Sequence, residues 1–401
     1  MASATRRIYA YNAGISAPMR ELKWAALRES KFRFYRGTCH LFAEDFVKLY
    51  KYKPRVRTWI CGDLHFENFG SFKGENRLVY FDLNDFDESV LASPEPEVAR
   101  FLTSIIIAAA DMKVAAIALH KALHDIADAY VGAVLKRKAL MLEEEVSHGI
   151  FRRYFEHLDT FDRQDFIAKR IVKNNGAVQL KPDNLHFMPL SEERKEDIYN
   201  GLRSLLDGNP KFQHLIYEDA AYRIAGTGSL GLERYGVLCY SKKKGKRYLI
   251  DVKEARESCF TGLIKGKQPR LRNEAERVNT VGYLMQFNTP AFLATLKMGD
   301  KWYMVKELQF VADRISLADL NGDFGELVAV AKEMAVLMAY AHLRSCGQLG
   351  SSTADELVKF AEKQQWVRDI VELSGDMAKR NNKYYKSFCA DHGHGPDGEG
   401  D

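Results

Sequence analysis

The sequence predicts an α+β protein of two lobes: a small β-rich lobe in the middle of the chain and a larger helical lobe assembled from both ends. Three observations carry this expectation. β-type runs gather at 235–240, 247–252 and 302–305, where branched and aromatic residues alternate with turn residues. Apolar residues recur at spacings of three and four over 97–146 and again from Phe324 onward, which is the period of a helix. A chain of 401 residues, 46% of them apolar, has core enough for more than one folding unit.

In order along the chain, residues 1–52 read as irregular segments followed by helix. Residues 55–60 and 77–81 read as two strands, joined by a polar loop that contains Gly70, Gly74 and Asn76. The turn Ala92-Ser93-Pro94-Glu95-Pro96 opens the helical stretch behind them. Residues 150–210 are mixed, basic and partly loop-like. A helix fits 273–287, between the second and third β-type runs. The densest basic run, Lys242-Lys243-Lys244-Gly245-Lys246-Arg247, has the size of a solvated hairpin tip. The Gly-rich tail after Asp391 is expected to be disordered. The divisions expected are 1–52, an N-terminal helical segment; 53–210, part of the helical lobe with a catalytic-looking loop; 211–312, the β-rich lobe; 313–390, the rest of the helical lobe; and 391–401, the tail.

Composition excludes several classes of function. The net charge is only +5 and no block of five or six like charges occurs, so no nucleic-acid surface is expected. The most apolar stretch, 98–119, contains Arg100, Asp111 and Lys113 and is not a membrane span. Arg6 and Arg7 have no apolar run after them, so no targeting segment is evident. Six scattered cysteines without a CxxC pair or secretory signal imply reduced thiols in a cytoplasmic protein.

Four constellations could carry chemistry. In Gly62-Asp63-Leu64-His65-Phe66-Glu67-Asn68, an Asp and an Asn lie five apart in a loop after a strand. Phosphotransferases use that spacing to orient the attacking hydroxyl with the Asp and to hold a metal with the Asn. Next, Phe81-Asp82-Leu83-Asn84-Asp85-Phe86-Asp87-Glu88 puts four carboxylates into seven residues at a strand end. They would repel one another without a cation, and Mg²⁺, which takes oxygen ligands, suits them; an acidic surface turn is the plain alternative. Third, Gly226-Thr227-Gly228-Ser229-Leu230-Gly231 is followed by a strand, not by the helix a dinucleotide fold requires. A glycine loop between two strands can cover a triphosphate with its backbone N–H groups, or be a simple hairpin turn. Fourth, Lys253 ends an apolar β-type run 22 residues beyond Gly231. A lysine there can neutralise α- and β-phosphates when a glutamate on the next helix holds it, and Glu276 or Glu274 is placed to do so.

These elements resemble those of the protein-kinase-like superfamily, especially its aminoglycoside and choline phosphotransferase branch, whose loop reads Gly-Asp-Leu-His-x-x-Asn and whose metal strand ends in Asp-Phe-Asp or Asp-Phe-Glu. More closely, the chain is similar to a bacterial family catalogued as a domain of unknown function. The residues that carry this are Phe34-Tyr35-Arg36-Gly37, Gly62 to Gly70, Phe81 to Glu88, the glycine loop, Val252-Lys253-Glu254-Ala255, and Ala341-His342-Leu343-Arg344-Ser345. The order departs from an ordinary kinase, because the catalytic loop precedes the nucleotide lobe. That implies a circular permutation, with the helix 324–344 standing in for the one that normally leads into the catalytic loop.

The resemblance implies an ATP- and Mg²⁺-dependent phosphotransferase acting on a small hydroxyl acceptor. Asp63 would orient or deprotonate the acceptor. Asn68 and Asp85 would hold metal, with Asp82 and Asp87 as second choices. Lys253, held by Glu276, would contact phosphates under a loop shaped by Gly226, Thr227, Gly228, Ser229 and Gly231. A pseudokinase-type nucleotide-binding module, and an AMP transferase on the same scaffold, are the alternatives. A metallophosphoesterase built on Asp63, His65, His392 and His394 is a further reading. The acceptor, the oligomeric state and the role of Arg36 stay open, and the basic segment 164–185 could face an anionic substrate or solvent.

Overall fold

The computed structural model describes residues 3–50, 56–145, 147–174, 176–308 and 314–391. It is a mixed α+β structure. Four helices open it: α1 (Ala4–Tyr11), α2 (Ala17–Glu29), α3 (Lys31–Gly37) and α4 (Cys39–Leu49). Ser3 caps α1 and Ser30 caps α3, each hydroxyl accepting a backbone N–H of the first turn. Two small antiparallel ladders follow. β1 (Thr58–Ile60) pairs with β4 (Val90–Ala92), and β2 (Phe69–Lys73) pairs with β3 (Val79–Leu83). This corrects the expected hairpin of 55–60 with 77–81: β2 lies between them and takes β3 as its partner, while β1 pairs with β4. Phe69, Phe72, Val90 and Leu91 are all buried, and that burial makes strands of segments that read as loop and turn. Residue 55 of the expected first strand lies outside the described residues.

The expected long helix divides into α5 (Glu95–Ala109) and α6 (Ala116–Leu135), broken at 110–115, where Lys113 takes a positive φ of 52°. Then come α7 (Gly149–Thr160), α8 (Arg163–Ala168), the hairpin β5 (Ile171–Asn174) and β6 (Ala177–Leu180), β7 (Phe187–Met188) and α9 (Glu192–Gly208). The middle of the chain supplies β8 (Leu215–Arg223), β9 (Arg234–Ser241), β10 (Lys246–Glu254), α10 (Glu274–Met285), β11 (Ala294–Met298) and β12 (Lys301–Glu307). Strands β7 to β12 form one antiparallel sheet in the order β11-β12-β10-β9-β8-β7. The chain closes with α11 (Phe324–Ser345), α12 (Ala354–Ala361) and α13 (Gln365–Asp391). Residues 392–401, the tail expected to be disordered, lie outside the described residues.

Alternation along β9 and β10 sends side chains to both faces of the sheet. Val237, Cys239, Ile250 and Val252 pack with Ile198 and Leu202 of α9 on one face. Leu238 and Leu249 pack with Ile167 of α8 and Leu180 of β6 on the other. The largest core joins helices α4 to α7 and α10 to α13 to the two small ladders. Every cysteine is free, and among the described residues no helix is long and apolar enough to cross a membrane. The Lys242–Arg247 run forms the β9–β10 tip, with Gly245 at φ +63°.

Candidate active site

The loop after β1 is held from behind by α5. Glu97, Arg100 and Ser104 stand on one face of that helix, three and four residues apart. The Glu97 carboxylate accepts the Cys61 N–H at 2.6 Å, and Ser104 Oγ accepts the Phe66 N–H at 3.1 Å. The fully buried Arg100 donates through Nε and Nη2 to one oxygen of Asp63, Oδ1, at 2.9 and 2.7 Å. Asp63 Oδ2 is left for another partner. Burial pushes the Asp63 carboxyl above the usual carboxylate range, against the opposing pull of Arg100. Asn68 donates its amide to the Asp63 carbonyl at 2.9 Å, which closes the loop. Gly62 is required here: its φ is +81°, and a Cβ would run into the Glu88 backbone.

Of the four acids at the end of β3, the structure sorts one out of the cleft. Asp82 is buried and accepts from Arg344 Nη2 at 2.7 Å and from the Phe287 and Leu83 N–H groups at 2.9 Å each. It ties β3 to α11 and to the end of α10, so the expectation that Asp82 is a second-choice metal ligand is corrected. Asp85 and Asp87 face the cleft and meet the Lys253 ammonium, Asp85 at 3.3 Å. Burial opposes ionisation of Asp85, but Lys253 and Lys306 outweigh it and hold its pKa at about 2. Burial and the neighbouring Asp85 raise Asp87 instead. Glu88 lines the smaller chamber of the cleft and accepts the Cys259 N–H.

The expected Glu276–Lys253 pair is not formed. Glu276 folds back on its own helix, accepting the Arg272 N–H at 2.6 Å, while its N–H bonds the Asn273 side chain at 2.9 Å. A carboxylate is stabilised at a helix N-terminus, where unpaired N–H groups need acceptors. Glu274 pairs with Arg277 at 2.5 Å. Arg277, which the sequence reading passed over, donates to the Asp87 and Ser89 carbonyls at 2.8 Å each and so docks α10 on the acidic segment. Lys253 itself is 3% exposed and lies opposite Arg234 in the β9–β10 register.

The glycine loop joins β8 to β9, as expected, and the N-terminal helices brace it. The Lys23 ammonium donates to the Gly228 carbonyl at 2.7 Å, and Arg33 Nε reaches Thr227 Oγ1 at 3.5 Å. Gly226 and Gly231 have φ of +73° and +91°, and a Cβ on Gly231 would collide with Ile15. Ser229 Oγ bonds the Ala225 carbonyl at 3.2 Å within the loop. Lys23 is 2% exposed, and burial, helped by Arg256, lowers its pKa to about 7. Because this folded value lies below the unfolded one, the unfolded chain binds the extra proton between pH 7 and about 10.5, and stability rises with pH there. Relative to Lys23→Met, the wild type is therefore expected to gain about 1.4 kcal/mol per pH unit from pH 7 to 9. Urea unfolding of both proteins at pH 7, 8 and 9 checks this; a constant difference would contradict it.

Two connected chambers make up the cleft, sharing Arg36, Asn68, Asp85 and Gly226 as walls. The larger, about 290 Å³, has apolar walls from Val278, Leu293 and Met304 and cationic ones from Arg223, Arg234 and Lys306. Arg234 grips Asp251 through two hydrogen bonds of 2.9 and 2.6 Å, and Arg223 adds an ion pair at 2.9 Å. That buried carboxylate aligns both guanidinium groups. Arg36 pairs with Glu67, whose other oxygen accepts the Leu317 N–H at 3.3 Å, which gives the Phe34-Tyr35-Arg36-Gly37 segment a place in the cleft wall. The smaller chamber, about 110 Å³, lies beside Asp63 and beneath Gly226, Thr227, Gly228 and Ser229. The basic segment 164–185 lines neither chamber, and its Lys169, Lys173 and Lys181 are exposed. Among the described residues, no three His, Cys, Asp or Glu side chains are gathered to hold a metal by themselves. His392 and His394 lie outside the described residues.

Fold and cleft thus define an α+β protein with a cation-rich cleft between a sheet and a helical core. The chain belongs to the bacterial family described as "Uncharacterized protein conserved in bacteria (DUF2252)", whose model matches residues 18–391. No curated protein and no solved structure matches it.

Proposed function

We propose that the protein is an ATP- and Mg²⁺-dependent phosphotransferase with a circularly permuted, two-lobed kinase-like fold, acting on a small hydroxyl acceptor. One observation carries the reading: Asp63, Asn68, Asp85, Lys253 and Gly226, scattered over 190 positions of the chain, converge on a single cleft. A surface turn or an ordinary hairpin would have no reason to meet the others. The larger chamber offers apolar surface for a base and Arg234, Lys253 and Lys306 for phosphates. Asn68, Asp85 and Asp87 present only oxygen donors on the side facing the cleft, a hard-cation set, and the Lys253 ammonium beside the two acids marks where positive charge is held. A bound Mg²⁺ would neutralise phosphate charge there. Asp63, with Oδ1 anchored on Arg100, would take the acceptor's proton at Oδ2.

Thermal unfolding with ATP, with and without Mg²⁺, tests the reading. Saturation at about 100 times the dissociation constant adds about 2.7 kcal/mol, a shift of several degrees. Lys253→Met is expected to abolish that shift. Labelled ATP then separates products: ADP is expected, whereas pyrophosphate would indicate AMP transfer. No shift with ATP or GTP in the presence of Mg²⁺, together with no nucleotide turnover, would sink the proposal.

A further inference from the structure

We propose that a further chamber, lined by Arg33, Arg36 and Arg314, binds a phosphate group carried by the acceptor, which makes the acceptor a small phosphorylated hydroxy compound. The inference rests on the phosphotransferase reading and names the acceptor class for its site. This outer chamber, about 440 Å³, adjoins the larger one through Arg36, Glu67, Gly226 and Arg314, and the smaller one through Arg36, Gly226 and Thr227. Lys253, Arg234 and Lys306 line the larger chamber and not this one, so Arg33 adds charge beyond the set proposed for the nucleotide phosphates. Three guanidinium groups and one carboxylate, Glu67, line the outer chamber. That carboxylate is already divided: Oε2 accepts from Arg36 Nη1, and Oε1 accepts the Leu317 N–H. Arg314 Nη1 stands 3.9 Å from Oε2, too far for a hydrogen bond. Arg33 pairs with Glu29, four residues back and 54% exposed, a contact weak enough to be given up.

The lining charge selects the guest. The chamber's walls carry two positive charges in excess. Arg36 registers that excess: burial lowers its pKa, and Arg314 and Arg33 lower it further, against the pull of Glu67 and Asp63. An anion between the three guanidinium groups removes their repulsion. Each group donates in a planar fork that matches phosphate oxygens. A phosphate monoester brings three acceptor oxygens and a charge of about −1.5 to −2 at pH 7, which answers the excess. A carboxylate brings two oxygens and one charge, a neutral acceptor leaves the excess standing, and an ammonium group adds to it. Position agrees. Arg36 is the inner member, 15% exposed, and close enough to Asp63 for the two charges to stabilise each other. Arg33 and Arg314, 39% and 38% exposed, form the rim. A phosphate held by these three groups leaves a hydroxyl a few bonds away at Asp63, and this is the role the sequence left open for Arg36.

In the transfer step the acceptor's own phosphate stays on the arginines while its hydroxyl sits at Asp63. The attacking hydroxyl oxygen forms a bond to the γ-phosphorus of ATP as the bond from that phosphorus to the β–γ bridging oxygen breaks. Its electron pair leaves on ADP, and the hydroxyl proton passes to Asp63 and then to solvent.

Calorimetric titration of inorganic phosphate into the protein saturated with Mg²⁺ and a non-hydrolysable ATP analogue tests the site directly, because the nucleotide's own phosphate positions are then filled. Saturable binding is expected. Arg314→Gln is expected to weaken it about tenfold, and Arg33→Gln together with Arg314→Gln about 100-fold, the size of one and of two lost charge-assisted hydrogen bonds. Both side chains lie at the rim, and the melting shift with ATP and Mg²⁺ shows that each variant is folded and binds nucleotide. Transfer from labelled ATP is then compared between glycerol and glycerol 3-phosphate and between ribose and ribose 5-phosphate, with glycerate as the carboxylate probe. A phosphorylated probe is expected to exceed its neutral counterpart by about tenfold or more in kcat/KM, and Arg314→Gln to act on its KM rather than on kcat. Given the melting shift in the wild type, no saturable phosphate binding, binding that neither variant weakens, or preferred transfer to a neutral probe or to glycerate overturns the acceptor assignment alone. Absence of that shift in the wild type overturns the phosphotransferase reading instead.

Discussion

Replacing Asp63 by asparagine is expected to lower acceptor turnover by about 1,000-fold, the size of a lost general base, with little loss of stability. The amide oxygen can still accept both Arg100 bonds, which converge on Oδ1 in the native protein, so the loop keeps its shape. What disappears is the charge and basicity of the second oxygen. Asp63→Ala differs in kind, because it leaves the fully buried Arg100 guanidinium without its anion and is expected to cost about 3–5 kcal/mol of stability as well. Turnover and urea unfolding measured on both variants separate the two effects. If Asp63→Asn turned over within tenfold of wild type, Asp63 would not be the base. The pattern expected is a folded, nucleotide-binding, inactive Asn variant beside a destabilised Ala variant.

His342→Leu is expected to lose about 3–5 kcal/mol of stability, the cost of breaking one side of a buried pair. His342 Nε2 meets Glu97 Oε2 at 2.6 Å, both side chains are 0% exposed, and the Tyr130 hydroxyl meets Nδ1 at 2.8 Å. Leucine would strand the carboxylate and the phenol in the core. The other Glu97 oxygen holds the Cys61 N–H, two residues before Asp63, so activity is expected to fall with stability. Adding Glu97→Gln should recover much of the loss, because a neutral amide leaves no stranded charge while its oxygen can still accept the Cys61 N–H. Denaturant midpoints of the single and double variants check this, and a single-variant cost below 1 kcal/mol would refute it.

Much of the site was legible because it is written in local spacing. Asp63 and Asn68 are five residues apart in one loop, the glycine loop lies between two recognisable strands, and Lys253 ends the next one. The supports were not legible. Arg100 sits in a helix that reads as apolar core, and nothing near it in sequence says that it reaches back 37 residues to Asp63. Lys23 is an ordinary residue of a helix until the glycine loop closes over it from 205 positions away. Glu276 shows the opposite error: its spacing from Lys253 was right, but a nearer set of N–H groups at its own helix end captured it.

The sequence by itself determined the main helices, the strands of the central sheet that carry the glycine loop and Lys253, and the chemical inventory, because helix and strand periods, turn residues and motif spacing are set between neighbours a few positions apart. Only the tertiary structure decided which acids face the cleft and what holds the Asp63 carboxylate. Asp82 and Asp85 are three residues apart and chemically alike. The partner that removes Asp82 from the cleft is Arg344, 262 positions away, and the one that keeps Asp85 in it is Lys253, 168 positions away. Burial and electrostatics act through space, so only the folded chain brings those partners into play.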